Sequence, residues 1–396
     1  MLFAETNHKQ INQNIEMGKV VGILSMQRVL NYGSFLQAYA LKQLLLQNGA
    51  DEVYFIDIEK GRSLPGYESG SSIWSKVCTA FSFLFKGRLV SLLKDRQFMR
   101  RVRGRIAAQF PVLGLDCLAP FRFDVVFIGS DEVFNCCQKV PWGYTPQLYG
   151  RVPQAEHVVS YAGSFGHTTY KQLREIGVAG EIGDTMKKLL AISVRDRNSY
   201  EIVERLTGIK SEIHLDPVLI YGYEKEIADR KINVQRISYM IVYSYQGRIS
   251  DKNEIEEIVS YAKRRNLRLI SIFCRYDWCD EAVLPDTPFD VLFWFKGAEC
   301  VVTDTFHGTI FSIITHRSFC SLVRDSNEHK LGSLLEQLSL DDRKVFDDDF
   351  QKIESVLNIP IDYKMVEGIL QEERKRAIGY IRKQLGTIAE FGVIEI

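Results

Sequence analysis

Val20-Val21-Gly22-Ile23-Leu24, a polar loop, Tyr32-Gly33-Ser34-Phe35-Leu36-Gln37-Ala38-Tyr39-Ala40-Leu41 running on to Gln47, and then Val53-Tyr54-Phe55-Ile56: this stretch decides the fold. The two short apolar runs have the composition of buried strands. Between them, Leu36, Tyr39, Ala40 and Leu44 recur at the three- and four-residue spacing of a helix face. Strand, helix and strand within roughly 40 residues make a parallel βαβ unit.

The same alternation continues outward. Strands are expected at Val125–Ile128, Val158–Ala162, Leu190–Val194 and Glu212–Leu215, with helices at Gln172–Leu189 and Ser199–Leu206. Pro217–Arg236 is rich in charge and Tyr and breaks the rhythm. It then restarts, with strands at Ser238–Tyr243, Arg268–Phe273, Cys300–Val302 and Ser318–Leu322 and helices at Ile255–Arg265, Gly308–Thr315 and Lys330–Leu338. The expected architecture is α/β, with two doubly wound Rossmann-like domains facing a cleft. The boundaries read as a tail over 1–17, a first domain over 18–216 carrying a helical insert at 73–109, a linker over 217–236, and a second domain over 237–345. A helical tail over 346–396, amphipathic across Met365–Glu390, is expected to pack back on the first domain.

Composition narrows the function classes. A chain of 396 residues, 46% hydrophobic and 25% charged, buries ordinary cores and is not disordered. Its 50 basic residues balance 50 acidic ones, so net charge gives no reason to expect a nucleic-acid partner. No run of 18 apolar residues is present, and Met1–Met17 lacks the apolar stretch of a signal peptide. The eight Cys form no CxxC pair and read as reduced thiols of a cytoplasmic protein, with no metal site expected. The insert is locally biased: from Lys86 to Arg105, eight Lys/Arg stand against one acid, Asp95. Behind the apolar Ile73–Phe85, this run reads either as helices laid over the sheet or as a peripheral contact, through 73–105, with an anionic inner membrane face.

Ligands of open parallel sheets sit beyond the carboxyl ends of strands, and four loops there are rich in polar residues. Asn31-Tyr32-Gly33-Ser34 opens the first helix. Gly129-Ser130-Asp131-Glu132 ends a strand in two acids, of which Asp131 is a candidate base. Ser193-Val194-Arg195-Asp196 places an Arg where its guanidinium can grip a carboxylate or phosphate with two parallel bonds. Thr303-Asp304-Thr305-Phe306-His307-Gly308-Thr309 puts a His and free N–H groups at a helix start, the makings of an anion site. Each also has a plain structural reading: helix cap, surface Arg–Asp pair or core His. No P-loop, GxSxG, HExxH or Gly-rich nucleotide fingerprint is present.

In order, these segments resemble the polysaccharide pyruvyl transferase family. The resemblance is carried by Gly22-Ile23-Leu24 with Asn31–Leu41, Phe127–Asn135, Ser160-Tyr161-Ala162-Gly163-Ser164-Phe165-Gly166, Ser193–Asp196, Leu215-Asp216-Pro217 and Thr303–Thr309. It spans about residues 19–340 and leaves out the basic insert and the tail. It implies a fold similar to the GT-B glycosyltransferases and transfer of a pyruvyl group from phosphoenolpyruvate to sugar hydroxyls as a ketal, with no cofactor. The positions matching the family's donor-binding Arg and His are Arg195 and His307. Around them, Thr305, Gly308 and Thr309 are the expected donor contacts. His307, Asp131 and Asp304 are the candidate acids and bases, and Asn31, Tyr32, Gly33, Ser130 and Glu132 the candidate acceptor contacts. The expected partners are phosphoenolpyruvate and a glycan acceptor, free or lipid-linked. Two positions depart from the pattern: Thr305 and Lys330 stand where some members carry Arg. The alternatives are a nucleotide-sugar glycosyltransferase on a similar fold and a non-catalytic glycan-binding member.

Overall fold

The computed structural model describes residues 18–67, 89–228 and 237–391. The expected tail over 1–17, the first part of the insert through residue 88 and the end of the linker over 229–236 lie outside the described residues. The first sheet holds β1 (Val20–Leu24), β2 (Glu52–Phe55), β3 (Phe123–Asp131), β4 (Ala155–Gly163), β5 (Ser193–Val194) and β6 (Glu212–Ile213), in the order β2-β1-β3-β4-β5-β6. The second holds β7 (Tyr239–Tyr243), β8 (Arg268–Ile272), β9 (Glu281–Val283), β10 (Cys300–Thr303), β11 (Ser318–Val323) and β12 (Lys344–Phe346), in the order β12-β11-β10-β7-β8-β9. Every pairing between these strands is parallel.

Both orders are doubly wound. The second sheet runs 3-2-1-4-5-6 and the first begins 2-1-3-4-5, so strand order reverses between β1 and β3 and again between β7 and β10. These two switch points open the crevices where the fold accepts ligands. The α/β architecture of two Rossmann-like sheets facing a cleft is therefore present.

Helix α1 (Tyr32–Gln47) has the expected bounds and is buried along most of its length. One side packs on the first sheet. The other presents Phe35 and Tyr39 edge-on to Phe289 of the second domain. A single hydrophobic cluster, from Val21 and Leu41 to Ile241 and Phe311, therefore runs through both domains.

Several expectations are corrected. The helix expected over Gln172–Leu189 is two, Tyr170–Glu175 and Ala179–Met186. Gly177 between them takes φ +80°, a left-handed conformation that ends a helix. The edge strands β9 and β12 and the helix Pro288–Gly297 carry too short or too uniform an apolar pattern to be read. The stretch read as linker begins with two short helices, Pro217–Tyr221 and Glu224–Ala228, that place Val218, Leu219, Ile220 and Ile227 in the shared core. The helix Lys352–Asn358, assigned to the tail, inserts Ile353 and Val356 into the core of the second domain.

The last helix, Tyr363–Phe391, spans both domains. Near its start, Tyr363 Oη donates to the carbonyl of Arg317 at 2.5 Å. Further on, Tyr380 Oη donates to the carbonyl of Ser160 at 2.8 Å, and Lys19 Nζ donates to the carbonyl of Leu385 at 2.5 Å.

The described arm of the insert is α2 (Leu89–Ala107). It is no simple sheet cover. Phe98, Val102 and Ile106 enter the shared core, while Asp95 pairs with Arg275 at 2.9 Å and Arg105 with Asp286 at 2.7 Å. An element of the first domain by sequence is thus strapped to loops of the second. Among the described residues no helix is long and apolar enough to cross a membrane.

Candidate active site

The loops at the two switch points close around a cavity of about 290 Å³. Met26, Val29, Asn31, Gly33 and Ser34 follow β1, Asp131 and Glu132 end β3, and Arg195 follows β5. From the second domain come Tyr243 and Tyr245, Phe273, then Thr305, Phe306 and His307 after β10, and Lys330 from the helix Glu328–Gln337.

Arg195 is only 4% exposed. Its Nη1 donates to Asp216 Oδ2 at 3.1 Å and lies 3.9 Å from Asp131 Oδ1, and its guanidinium stacks 4.1 Å above the Phe306 ring. The neighbouring Asp196 does not form the surface pair considered from sequence. It caps the helix Arg197–Thr207, accepting from Ser199 N at 2.8 Å. Asp216 is fully buried, and its two oxygens divide their work. Oδ1 accepts from Val218 N at 3.0 Å, capping Pro217–Tyr221, while Oδ2 holds Arg195 and Ser130 Oγ. Arg195 Nε is buried without a hydrogen-bond partner in the protein.

His307 faces it from the other domain. Its Nε2 lies 3.8 Å from Asp216 Oδ2, too far for a hydrogen bond, and is likewise buried without a partner. Burial lowers the imidazole pKa below the ordinary 6.5, and the opposing pull of Asp216 and Asp131 does not offset it. The ring also fixes the domain approach. A Cβ on Gly33 would fall 2.3 Å from His307 Cγ, so only glycine fits at that position.

The acids are held in place. Ser34 Oγ donates to Asp131 Oδ2 at 2.9 Å, and Glu132 N to its Oδ1 at 2.9 Å. Asp131 takes φ +81°, an unusual conformation for a non-glycine residue and one found disproportionately at functional sites. Glu132 Oε1 receives Lys330 Nζ at 2.7 Å across the cleft, and its Oε2 receives Asn135 Nδ2 at 2.7 Å. Burial opposes its ionisation, but Lys330, Asn135 and Arg195 together outweigh it and hold the Glu132 carboxyl down at about 2.

The site thus brings together Asn31, Gly33, Asp131, Glu132, Arg195, Thr305 and His307. Five other expected residues do not line it. Tyr32 is fully buried against Phe273. Ser130 is spent on Asp216. Gly308 N donates to the capping Thr305 Oγ1 at 2.9 Å, so that helix N–H is not free for an anion. Thr309 Oγ1 bonds the carbonyl of Thr305 and Ser321 Oγ. Asp304 is fully buried on the far side of its loop, 2.9 Å from Arg248 Nε and 3.7 Å from Arg324 Nε. It has no access to a substrate proton and is removed from the candidate bases. Asn31 does cap α1, accepting from Ser34 N at 2.7 Å.

Residues unassigned from sequence include Asp216, Tyr243, Tyr245 and Phe273. The last three follow from the carboxyl-end rule applied to β7 and β8, whose ends are aromatic rather than polar. Asp216 entered the sequence reading only within the Leu215-Asp216-Pro217 motif of the resemblance, with no role assigned.

A model of the polysaccharide pyruvyl transferase family matches residues 31–326, which include every residue of this cavity except Met26, Val29 and Lys330. The chain belongs to the polysaccharide pyruvyl transferase family. No curated protein matches it significantly. Among solved structures, this pyruvyl transferase family member is similar to the UDP-GlcNAc 2-epimerase of Methanocaldococcus jannaschii (12% identity, TM-score 0.46, 89% of this chain and 99% of that one). It is also similar to UGT89C1 of Arabidopsis thaliana (9%, 0.47, 93% and 100%) and to the UDP-GlcNAc 2-epimerase of Neisseria meningitidis (9%, 0.47, 94% and 99%).

Proposed function

We propose that the protein moves a pyruvyl group from phosphoenolpyruvate to two hydroxyls of a sugar in a polysaccharide or its precursor, forming a cyclic ketal, and that it works in the cytoplasm. One observation carries this reading. Arg195 and His307 line one small cavity from different domains, and each carries a buried nitrogen, Nε and Nε2, without a protein partner. An unsatisfied buried polar group costs about 1–3 kcal/mol, which a ligand that completes it recovers. The cavity, about 290 Å³, sits at the small end of the roughly 300–1,000 Å³ usual for ligand pockets and suits a compact anion better than a nucleotide sugar.

Phosphoenolpyruvate carries a carboxylate and a phosphate, and the cavity carries Arg195 and Lys330. In the reaction, the enol CH2 takes a proton and becomes the methyl group. One sugar hydroxyl adds to the adjacent carbon, a second displaces phosphate, and the hydroxyl protons end on the methyl group and on inorganic phosphate. Asp131, anchored by Ser34 and open to the cavity, is the proposed base for the attacking hydroxyl. His307, neutral in the empty site, is the proposed acid. The incoming phosphate raises its pKa; the proton then held goes to the departing phosphate and is replaced by that of the second hydroxyl, so His307 ends as it was with donor bound. Asn31, Gly33 and Glu132 line the side left for the acceptor.

The test is phosphoenolpyruvate binding by calorimetry. Saturable binding to the wild type, abolished in Arg195→Ala and in His307→Ala, is expected. Absence of binding at millimolar donor, with and without a glycan, overturns the reading.

A further inference from the structure

A second recess adjoins the first. A groove of about 1180 Å³ lies between Ser91–Arg103 of α2 and the loops after β7 and β8. Tyr245 of the loop after β7 lines the small cavity, and the next two residues, Gln246 and Gly247, line the groove. Gln246 Nε2 ties the loop to α2 through Asp95 Oδ2 at 3.3 Å.

The groove is strongly basic. Arg96, Arg100 and Arg103 line it at helical spacing, so their guanidinium groups form one stripe. The opposite face of α2 is pinned, because Phe98, Val102 and Ile106 lie in the shared core. All three arginines are exposed, and among the described residues none has an acid in ion-pair range. The two acids nearby are already engaged: Asp95 by Arg275 at 2.9 Å, and Asp277 by Ser91 and Arg275. Among the described residues, three charges without an ion-pair partner thus meet in one recess of a chain whose formal net charge is zero.

We propose that this groove binds an anionic group, phosphate or carboxylate, of the glycan acceptor and so aims the sugar hydroxyls past Tyr245 into the cavity. The inference rests on the pyruvyl-transfer reading. Its support is chemical and spatial. A cavity filled by a compact donor leaves most of a glycan outside it, and the adjoining groove is the recess that would take it. Guanidinium forks pair with two oxygens of a carboxylate or a phosphate, whereas a neutral glycan leaves the stripe unbalanced. The arginines line a recess, which suits a group that enters it better than a flat lipid surface.

The test uses Arg96→Gln/Arg100→Gln/Arg103→Gln, which removes the charges and keeps helix propensity. Pyrophosphate is titrated into the full-length wild type and variant, each saturated with phosphoenolpyruvate to block the cavity. Donor affinity is expected to be equal in the two proteins and pyrophosphate affinity at least about ten-fold weaker in the variant. Equal pyrophosphate affinity overturns the proposal. So does phosphatidylglycerol vesicle binding that depends on the arginines while pyrophosphate binding does not, because the stripe is then a membrane contact. Phosphoenolpyruvate that binds neither protein overturns the transfer reading itself, whatever pyrophosphate does, so the two failures are distinguishable.

Discussion

Two buried charge clusters flank the loops of this protein, both with buried polar atoms that lack a partner, and they differ in whether a cavity adjoins them. In the first domain, Arg195 sits among Asp216, Asp131 and the Phe306 ring and keeps one donor, Nε, unspent beside a cavity. In the second, Asp304 is enclosed by Arg248 and Arg324, and Arg324 reaches on to Glu254 and Asp347. Burial drives the Asp304 carboxyl up and Arg248 and Arg324 only partly offset this; Arg324 Nε and both Asp304 carboxylate oxygens are also buried without a hydrogen-bond partner, but no residue of this cluster lines the cavity. Both charges follow a strand of a doubly wound sheet. A charge at a strand end therefore does not mark a site by itself. Nor does leftover bonding capacity, which both clusters have; its combination with a cavity does.

The largest effect is expected at Arg195. Arg195→Lys keeps the charge but loses the fork and the stacking on Phe306, so calorimetry should show phosphoenolpyruvate binding weakened by two orders of magnitude or so. A shift under three-fold would mean that the guanidinium is structural, like the cluster around Asp304. Gly33→Ala comes next. Its Cβ would meet the His307 ring at 2.3 Å, forcing the domains apart, and turnover should fall by roughly 10²-fold. Full activity in that variant would show that the cleft does not work in its closed form.

His307 links the comparison to pH. Its folded pKa is below 6.5, so the unfolded chain takes up the proton first as pH falls, and His307 removes stability below about pH 6.5. A bound phosphate favours the charged ring. Above that pH, donor binding should therefore consume a proton and weaken as pH rises, visible as a binding heat that depends on the buffer's ionisation enthalpy. His307→Gln should erase that dependence. Persistence of the dependence would move proton uptake to another group.

The smallest effect on donor affinity, within about two-fold, is expected from Asp304→Ala. The same change should cost about 3–5 kcal/mol of stability in denaturant unfolding, because it strips two arginines of a buried partner. Loss of donor binding in a folded Asp304→Ala protein would break the distinction between the clusters.

Much of the site was legible because the sheet rule and the polar loops coincide. Asn31, Gly33, Asp131, Arg195 and His307 lie within a few residues of apolar runs, and the fold brings those ends together. Asp304 and Thr309 stand in the same motif as His307 and could not be separated from it. A helix start and a strand end change side-chain direction with every residue, and local sequence does not say which side meets the opposing domain. Lys330 was noted only as a departure, since its partner, Glu132, lies 198 positions away.

By itself, the sequence determined the βα alternation, the two sheets and the loops at their ends, because strand burial and helix periodicity are written in local apolar spacing. Tertiary structure alone decided that α2 straps one domain to the other, that Gly33 admits the His307 ring, and that Arg195 and His307 share a cavity while Asp304 does not. Those outcomes depend on contacts between residues far apart in the chain. The free energy of such contacts is set by packing, desolvation and partner geometry, none of which is encoded in the neighbours of a single residue.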